Sequence, residues 1–196
     1  AYAALHGLDE FSENPAESLR CIAALYPSIS NWMALSDSGF TYVHDLAGSS
    51  IGIGPQNSTT ELSARIALQS MGISGDNTSF TACGIGSEVK RGNLQAIHGF
   101  AGIPISGLTA LADSTPCTLL RYTDEELNTI LAENTFYYRD VIPANTYAGQ
   151  TEEIDSFGIK CLLCVNASMD KDLVYQLTQI IYEHTSELIL LHPAMS

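Results

Sequence analysis

The chain has 196 residues, of which 45% are hydrophobic and 15% charged, a balance that supports a buried core and argues against a disordered or coiled-coil chain. Eight Lys and Arg against 22 Asp and Glu give a formal charge of −14, which argues against nucleic acid, because phosphate-backbone binding is driven by basic side chains. No apolar run approaches the roughly 20 residues a membrane-spanning helix needs, and the length suits one large domain or two small lobes.

Ala1 to Gly7 read as a helix already in progress, with Gly7 as its cap, so the chain is expected to begin mid-domain. Helix and strand signals then alternate, as in an α/β protein. Leu19 to Leu25 and Trp32 to Leu35 are expected as two strands broken at Tyr26-Pro27-Ser28, with a turn at Asp37-Ser38-Gly39. Ile51 to Gly54 is a brief strand, and Ser58-Thr59-Thr60-Glu61 is a capping box with Ser58 as N-cap and Glu61 at N3. Ala64, Ala67, Leu68 and Met71 share one helical face, and Gly72 is placed to stop that helix.

A short helix is expected over Ser87 to Arg91, then a strand from Leu94 to Phe100 carrying His98. Gly102-Ile103-Pro104 makes a turn, with Pro104 suited to the first turn of a helix running to about Asp113. Cys117 to Arg121 reads as a strand, and Thr123-Asp124-Glu125-Glu126 as a second capping box. The helical period disappears between Phe136 and Ser156, which is expected to be a long connection. Phe157 to Val165 returns as a strand. Leu173, Val174, Leu177, Ile180 and Ile181 form one face of a final amphipathic helix, and His192-Pro193 ends the pattern.

The richest chemistry lies in Gly54-Pro55-Gln56-Asn57-Ser58-Thr59-Thr60. This segment leaves a strand and enters a capped helix, so amides and hydroxyls converge at the positive end of a helix dipole. Neither nucleotide fingerprint fits: Asn57 stands where the dinucleotide motif wants its third glycine, and no Gly-Lys-Ser/Thr follows. A carboxylate suits the loop better than a pyrophosphate.

Gly48-Ser49-Ser50-Ile51-Gly52 matches GxSxG, but a turn precedes it and a strand follows, the reverse of a nucleophile elbow. The five histidines lack HxH or HExxH spacing. Trp32, Phe100 and Tyr147 are aromatic candidates for a pocket wall. Cys21, Cys83, Cys117, Cys161 and Cys164 are odd in number, leaving at least one unpaired. Cys161 and Cys164 sit three apart on an expected strand and so face opposite sides.

Taken in order, Ala1-Tyr2-Ala3-Ala4-Leu5-His6-Gly7, Leu19-Arg20 through Leu25-Tyr26-Pro27, Ser38-Gly39, Asp45-Leu46-Ala47-Gly48, Ile53-Gly54-Pro55-x-x-Ser58-x-Thr60, Phe100-Ala101-Gly102-Ile103-Pro104 and Ile142-Pro143-Ala144-x-Thr146-Tyr147-x-Gly149-Gln150 resemble the TAXI family. Its members are TRAP-associated extracytoplasmic immunogenic proteins, the solute receptors of TRAP-type transporters. The resemblance implies a type II periplasmic-binding-protein fold of two α/β lobes. On it, Ser58 and Thr60 match hydroxyls at the ligand-binding helix N-terminus, Phe100, Gly102 and Pro104 match the second pocket loop, and Tyr147 matches a hinge-side Tyr-x-Gly-Gln segment. Asn57 and Thr59 replace glycines that are usual in the first loop.

The expected ligand contacts are therefore Gly54, Asn57, Ser58, Thr59, Thr60, Phe100, Ala101, Gly102, Pro104, Tyr147 and Trp32. The resemblance also implies an opening lobe segment that nothing in this chain matches. Residues 1–35 and 157–196 are accordingly expected to form a partial first lobe, open to self-association, and 36–156 a second lobe with its hinge-side connection. The implied function is periplasmic capture of a small carboxylate, glutamate or a related acid, for a TRAP-type permease, with no cofactor, metal or catalytic group. The alternatives are an effector-sensing domain of the same fold and a serine hydrolase using Ser50.

Overall fold

The computed structural model describes residues 2–8, 11–84, 89, 92–191 and 193–195. Apart from Val89, the helix expected over Ser87 to Arg91 lies outside these, as does His192.

The elements in chain order are α1 (Tyr2–His6), β1 (Leu19–Leu35), a 3₁₀ turn (Val43–Leu46), β2 (Ser50–Gly52), α2 (Thr59–Ser70), β3 (Ser79–Thr81) and β4 (Ala96–Ala101). There follow α3 (Ser106–Ser114), β5 (Cys117–Leu119), α4 (Asp124–Glu133), β6 (Tyr138–Ile142), β7 (Ile154–Asn166), α5 (Lys171–Glu183) and α6 (Thr185–Leu191). One seven-stranded sheet runs β3-β2-β4-β1-β7-β6, with β5 also pairing to β1. β2 is parallel to both β3 and β4, whereas β4 and β5 are antiparallel to β1.

Three expectations need correcting. The two short strands expected around Tyr26-Pro27-Ser28 are one strand, because proline's fixed φ is compatible with extended backbone; from Ser28 to Ala34 that strand is buried on both faces and no longer alternates. The long connection after Phe136 contains β6, which pairs with β7 from Tyr138 opposite Gly158 to Ile142 opposite Ile154. Its Tyr-Arg-Asp-Val-Ile sequence has no clean period because it is a sheet-edge strand, and Arg139 reaches out to Asp124 at 2.8 Å. Pro104 is not in the first turn of α3: it follows a cis peptide bond and precedes Ile105, the N-cap.

The chain divides into two compact units, residues 28–159 and residues 1–27 with 160–196. In the larger unit the sheet has an apolar cluster on each face. Trp32, Ala34, Ile51, Ile53, Ala96 and Phe100 meet Ala64, Ala67 and Leu68 of α2 and Leu127 and Ile130 of α4 in one cluster. Ile29, Met33, Ile97 and Leu119 meet Leu108, Leu111 and Ala112 of α3 in the other, to which Val89 also belongs. The alternation of Ala96 and Ile97 between clusters is the two-residue period of a strand. Burial of this kind, at roughly 25 cal/mol per Å² of apolar surface, is the main driving force for the fold.

In the smaller unit, Ala167 donates its N–H to the Ser18 carbonyl at 2.7 Å, and Asn166 Nδ2 donates to Ser18 Oγ at 3.0 Å. Asp170 caps α5 by accepting the Asp172 and Leu173 amides. None of the residues of α5 is buried. Leu173, Leu177 and Ile180 of its expected apolar face are 46%, 37% and 56% exposed, leaving this face unpartnered among the described residues. No helix among the described residues is long and apolar enough to cross a membrane.

Candidate functional site

The loop that follows β2 begins at Gly54, whose φ is +93°. A Cβ there would lie 2.5 Å from Thr60 Cγ2, so both backbone and space demand glycine. Asn57, at φ +59°, adopts the left-handed conformation that asparagine tolerates. Ser58 then caps α2, its hydroxyl oxygen accepting the Glu61 N–H at 3.1 Å.

The expected capping box closes differently. Glu61 Oε2 accepts the Asn57 N–H at 2.7 Å, while the Ser58 N–H is already used by the Pro55 carbonyl. Arg65, bonded to Glu61 at 2.8 Å, is the main reason this carboxyl is held below the usual carboxylate range, with the Asn57 amide second. Among the described residues the amides of Thr59 and Thr60, which open α2, have no hydrogen-bond partner.

The second loop follows β4, whose last residue is Ala101, and runs through Gly102 to Pro104. It ends where Tyr147 Oη accepts the Ile105 N–H at 3.0 Å and donates to Asn31 Oδ1 at 3.1 Å. Burial pushes the Tyr147 hydroxyl up to about 12, with the Ile105 amide working against that shift, so it remains a donor at neutral pH. No side chain caps α3.

Topology brings these two loops together. β2 and β4 are parallel neighbours, so the loops leave the same edge side by side. α2 joins the cluster on one face and α3 the cluster on the other. Where successive helices diverge to opposite faces, a crevice opens at the carboxyl ends of the strands, and open α/β sheets bind ligands there. Here two helix N-termini flank it, each a partial positive charge with amides to offer.

The expected site residues fall into two groups. Gly54, Asn57, Ser58, Thr59, Thr60, Ala101, Gly102 and Pro104 lie in the two loops and the first turn of α2, with Asn57 and Thr59 exposed. Trp32, Phe100 and Tyr147 lie behind them at 1%, 5% and 4% exposure. Phe100 packs in an aromatic group with Tyr137 and Phe157, at ring separations of 5.9 and 6.0 Å. The indole N–H of Trp32 and the hydroxyl of Tyr147 are satisfied within the protein. Ser50 stands at the start of β2, donating its backbone N–H to Gln95 Oε1 at 3.0 Å, and His44 Nδ1 pairs with Glu126 at 2.7 Å.

A buried polar chain behind the loops was not legible in the sequence. His98 is fully buried, and that burial lowers its pKa to about 3, so the ring is neutral. The Thr60 carbonyl can only accept, so Nδ1 carries the proton and donates to it at 3.1 Å. Nε2 must then accept from Ser30 Oγ at 2.9 Å. Ser30 in turn accepts the Tyr122 hydroxyl proton at 2.9 Å, and Tyr122 accepts the Trp32 N–H at 2.8 Å. Every donor has one acceptor, and the chain ends on the first turn of α2. Only a histidine on an otherwise apolar strand hinted at it.

An open depression of about 460 Å³ lies elsewhere, touching Ser36, Asp113, Ser114, Cys117 and Gly149. It lies at the C-terminal end of α3, where the dipole disfavours an anion.

The sequence pattern of the NMT1-like family matches residues 1–196, the whole chain. Among solved structures, the chain is similar to the periplasmic aliphatic sulphonate binding protein of Escherichia coli, with a TM-score of 0.54 and 12% identity, over 88% of this chain and 49% of that one. The arginine-, lysine-, histidine-binding protein of Geobacillus stearothermophilus gives a TM-score of 0.49 and 9% identity, over 91% and 62%. An amino acid ABC transporter substrate-binding protein of Streptococcus pneumoniae, bound to L-arginine, gives 0.45 and 10%, over 87% and 57%. The chain thus spans about half to three fifths of the length of these proteins. The fold is the α/β fold of type II periplasmic binding proteins.

Proposed function

The chain belongs to the NMT1-like family, and we propose that it is the binding component of an extracytoplasmic solute receptor that captures a small carboxylate at the carboxyl ends of β2 and β4. The observation that carries this reading is the pair of helix N-termini, α2 and α3, diverging to opposite faces from neighbouring parallel strands. The unpartnered amides of Thr59 and Thr60 supply the donors and the Thr59 hydroxyl adds a polar contact, while the Ser58 hydroxyl, donated to the Pro55 carbonyl at 2.6 Å, holds the loop in place. No bond is broken in this reading, so no catalytic group is assigned.

The finer parts belong to the same proposal. The carboxylate is glutamate or a related amino or dicarboxylic acid, and the receiving membrane protein is a TRAP-type permease, as the TAXI resemblance implies. Residues 36–156 make one lobe with its hinge-side connection, and residues 1–35 with 157–196 contribute to the other, a division supported by the compact units 28–159 and 1–27 with 160–196. The exposed apolar face of α5 supports self-association of this chain. The overall negative charge does not oppose an anionic guest, because charges more than about 8–10 Å away are screened while the helix terminus acts within its first turn.

The test removes the Thr59 amide together with its hydroxyl, both proposed ligand contacts, and no hydrogen bond of the helix. Thr59 is the first residue of α2, a position where proline is favoured because its missing N–H costs the helix no bond. Ser58 already has the extended conformation, φ −93° and ψ 161°, that a following proline requires. Thr59→Pro should leave thermal stability unchanged or slightly raised and weaken calorimetric binding of L-glutamate or succinate by about tenfold or more, the worth of a hydrogen bond to a charged group. Equal affinity of the variant and the parent would remove the proposed site.

A further inference from the structure

We propose that Cys21 and Cys164 form a disulfide that ties β1 to β7 within the unit made of residues 1–27 and 160–196. β1 and β7 are sheet neighbours. At this end their register follows from the Ala167 N–H donated to the Ser18 carbonyl at 2.7 Å, which makes Ser18 and Ala167 a hydrogen-bonded antiparallel pair. Stepping three residues along each strand puts Cys21 opposite Cys164 at a non-hydrogen-bonded position. Facing Cα atoms there are about 4.5 Å apart, within the range of roughly 4.4–6.8 Å that a disulfide spans. The two thiols are in hydrogen-bonding contact.

The other cysteines are placed differently. Cys161 lies three positions from Cys164 and so faces the other side of β7, where its thiol meets the Tyr26 hydroxyl. Cys83 and Cys117 belong to residues 28–159 and pack against the apolar cluster beside α3. The odd cysteine count thus resolves into one pair and three separate thiols.

Cys21 is exposed and Cys164 half-buried, so an external disulfide such as glutathione disulfide can reach the pair. The Cys21 thiolate attacks one sulfur of the external disulfide, forming a mixed disulfide and releasing one thiolate. Cys164, deprotonated to solvent, then attacks the Cys21 sulfur, displacing the second thiolate. Two protein thiols lose two protons and two electrons; the external disulfide gains them and leaves as two thiols. The product constrains the unfolded chain between positions 21 and 164. None of this draws on the solute-receptor reading, and either can fail without the other.

The native full chain is equilibrated with glutathione disulfide and glutathione, alkylated, and analysed by intact mass and peptide mapping. The expected result is a single Cys21–Cys164 linked peptide, alkylation of three of the five thiols, and a thermal midpoint several degrees higher than that of the reduced protein. Cys161→Ser keeps the link, while Cys21→Ser and Cys164→Ser abolish it. Five alkylated thiols, a glutathione adduct stalled on Cys21, or any other pairing, including Cys161 with Cys164 or a link between chains, would overturn the proposal. The wild-type map decides the matter even if a variant folds poorly.

Discussion

His98 holds the first turn of α2 from beneath, and its Nε2 can accept from Ser30 only while the ring is uncharged. Its folded pKa of about 3 lies below the ordinary value of 6.5 because burial penalises the imidazolium. Between those values the unfolded chain binds the extra proton and the folded chain does not, so stability rises with pH across that window and is lost as pH falls below about 6.5. The loss attributable to this residue approaches roughly 1.4 kcal/mol per pH unit. Urea unfolding at pH 6.5 and pH 4.5 should therefore give a steeper fall for the parent than for His98→Asn, which removes the titration. Parallel curves would mean that the ring is reached by solvent. Gly54 is the other residue on which the loop depends: Gly54→Ala must adopt φ +93° and meet Thr60 Cγ2 at 2.5 Å. It should cost at least about 2 kcal/mol in the same assay, in line with strain at a disfavoured backbone angle.

At the scale of elements, local chemistry was the legible part. Thr123 and Glu126 form the reciprocal capping box expected of them, and Ser58 caps α2 as its sequence indicates, because both signals are encoded within four residues. Gly7 and Gly72 take the positive φ expected of helix-ending glycines. What failed depended on partners far along the chain. β1 continues through Pro27, and β6 is a strand despite Arg139 and Asp140, because of the strands beside them. The candidate loops were found from sequence, but their adjacency was not: it needs β2 beside β4 and helices on opposite faces. The Ser30, Tyr122 and His98 chain joins three separated segments and has no local signal. Ser58→Ala should destabilise the protein by about 1 kcal/mol through the lost cap, measured by chemical denaturation, and Ser58→Gly by only a few tenths. If Ser58→Ala were neutral, the α2 terminus would not depend on its cap.

At the scale of the whole molecule, the two units differ in how completely their apolar surface is covered. Residues 28–159 have an apolar cluster on each face of the sheet. The apolar residues of α5 and α6 face outward, with Leu190 and Leu191 at 85% and 78% exposure. An apolar surface of that kind favours association in water. The isolated 196-residue chain should therefore show a concentration-dependent mass by light scattering, and Leu173→Lys with Ile180→Lys should shift it toward monomer. A monomer at all concentrations would contradict the self-association reading, while leaving the ligand site in the other unit untouched.

The central claim is that a carboxylate is held by backbone amides at the start of α2. It is tested most directly by following the backbone amide resonances during titration with L-glutamate, succinate and ethanesulfonate. The account predicts saturable shifts of Thr59 and Thr60, with smaller ones at the opening residues of α3, for at least one carboxylate and their loss in Thr59→Pro. Saturable binding that leaves Thr59 and Thr60 unmoved and centres on the depression beside Ser114 would contradict it.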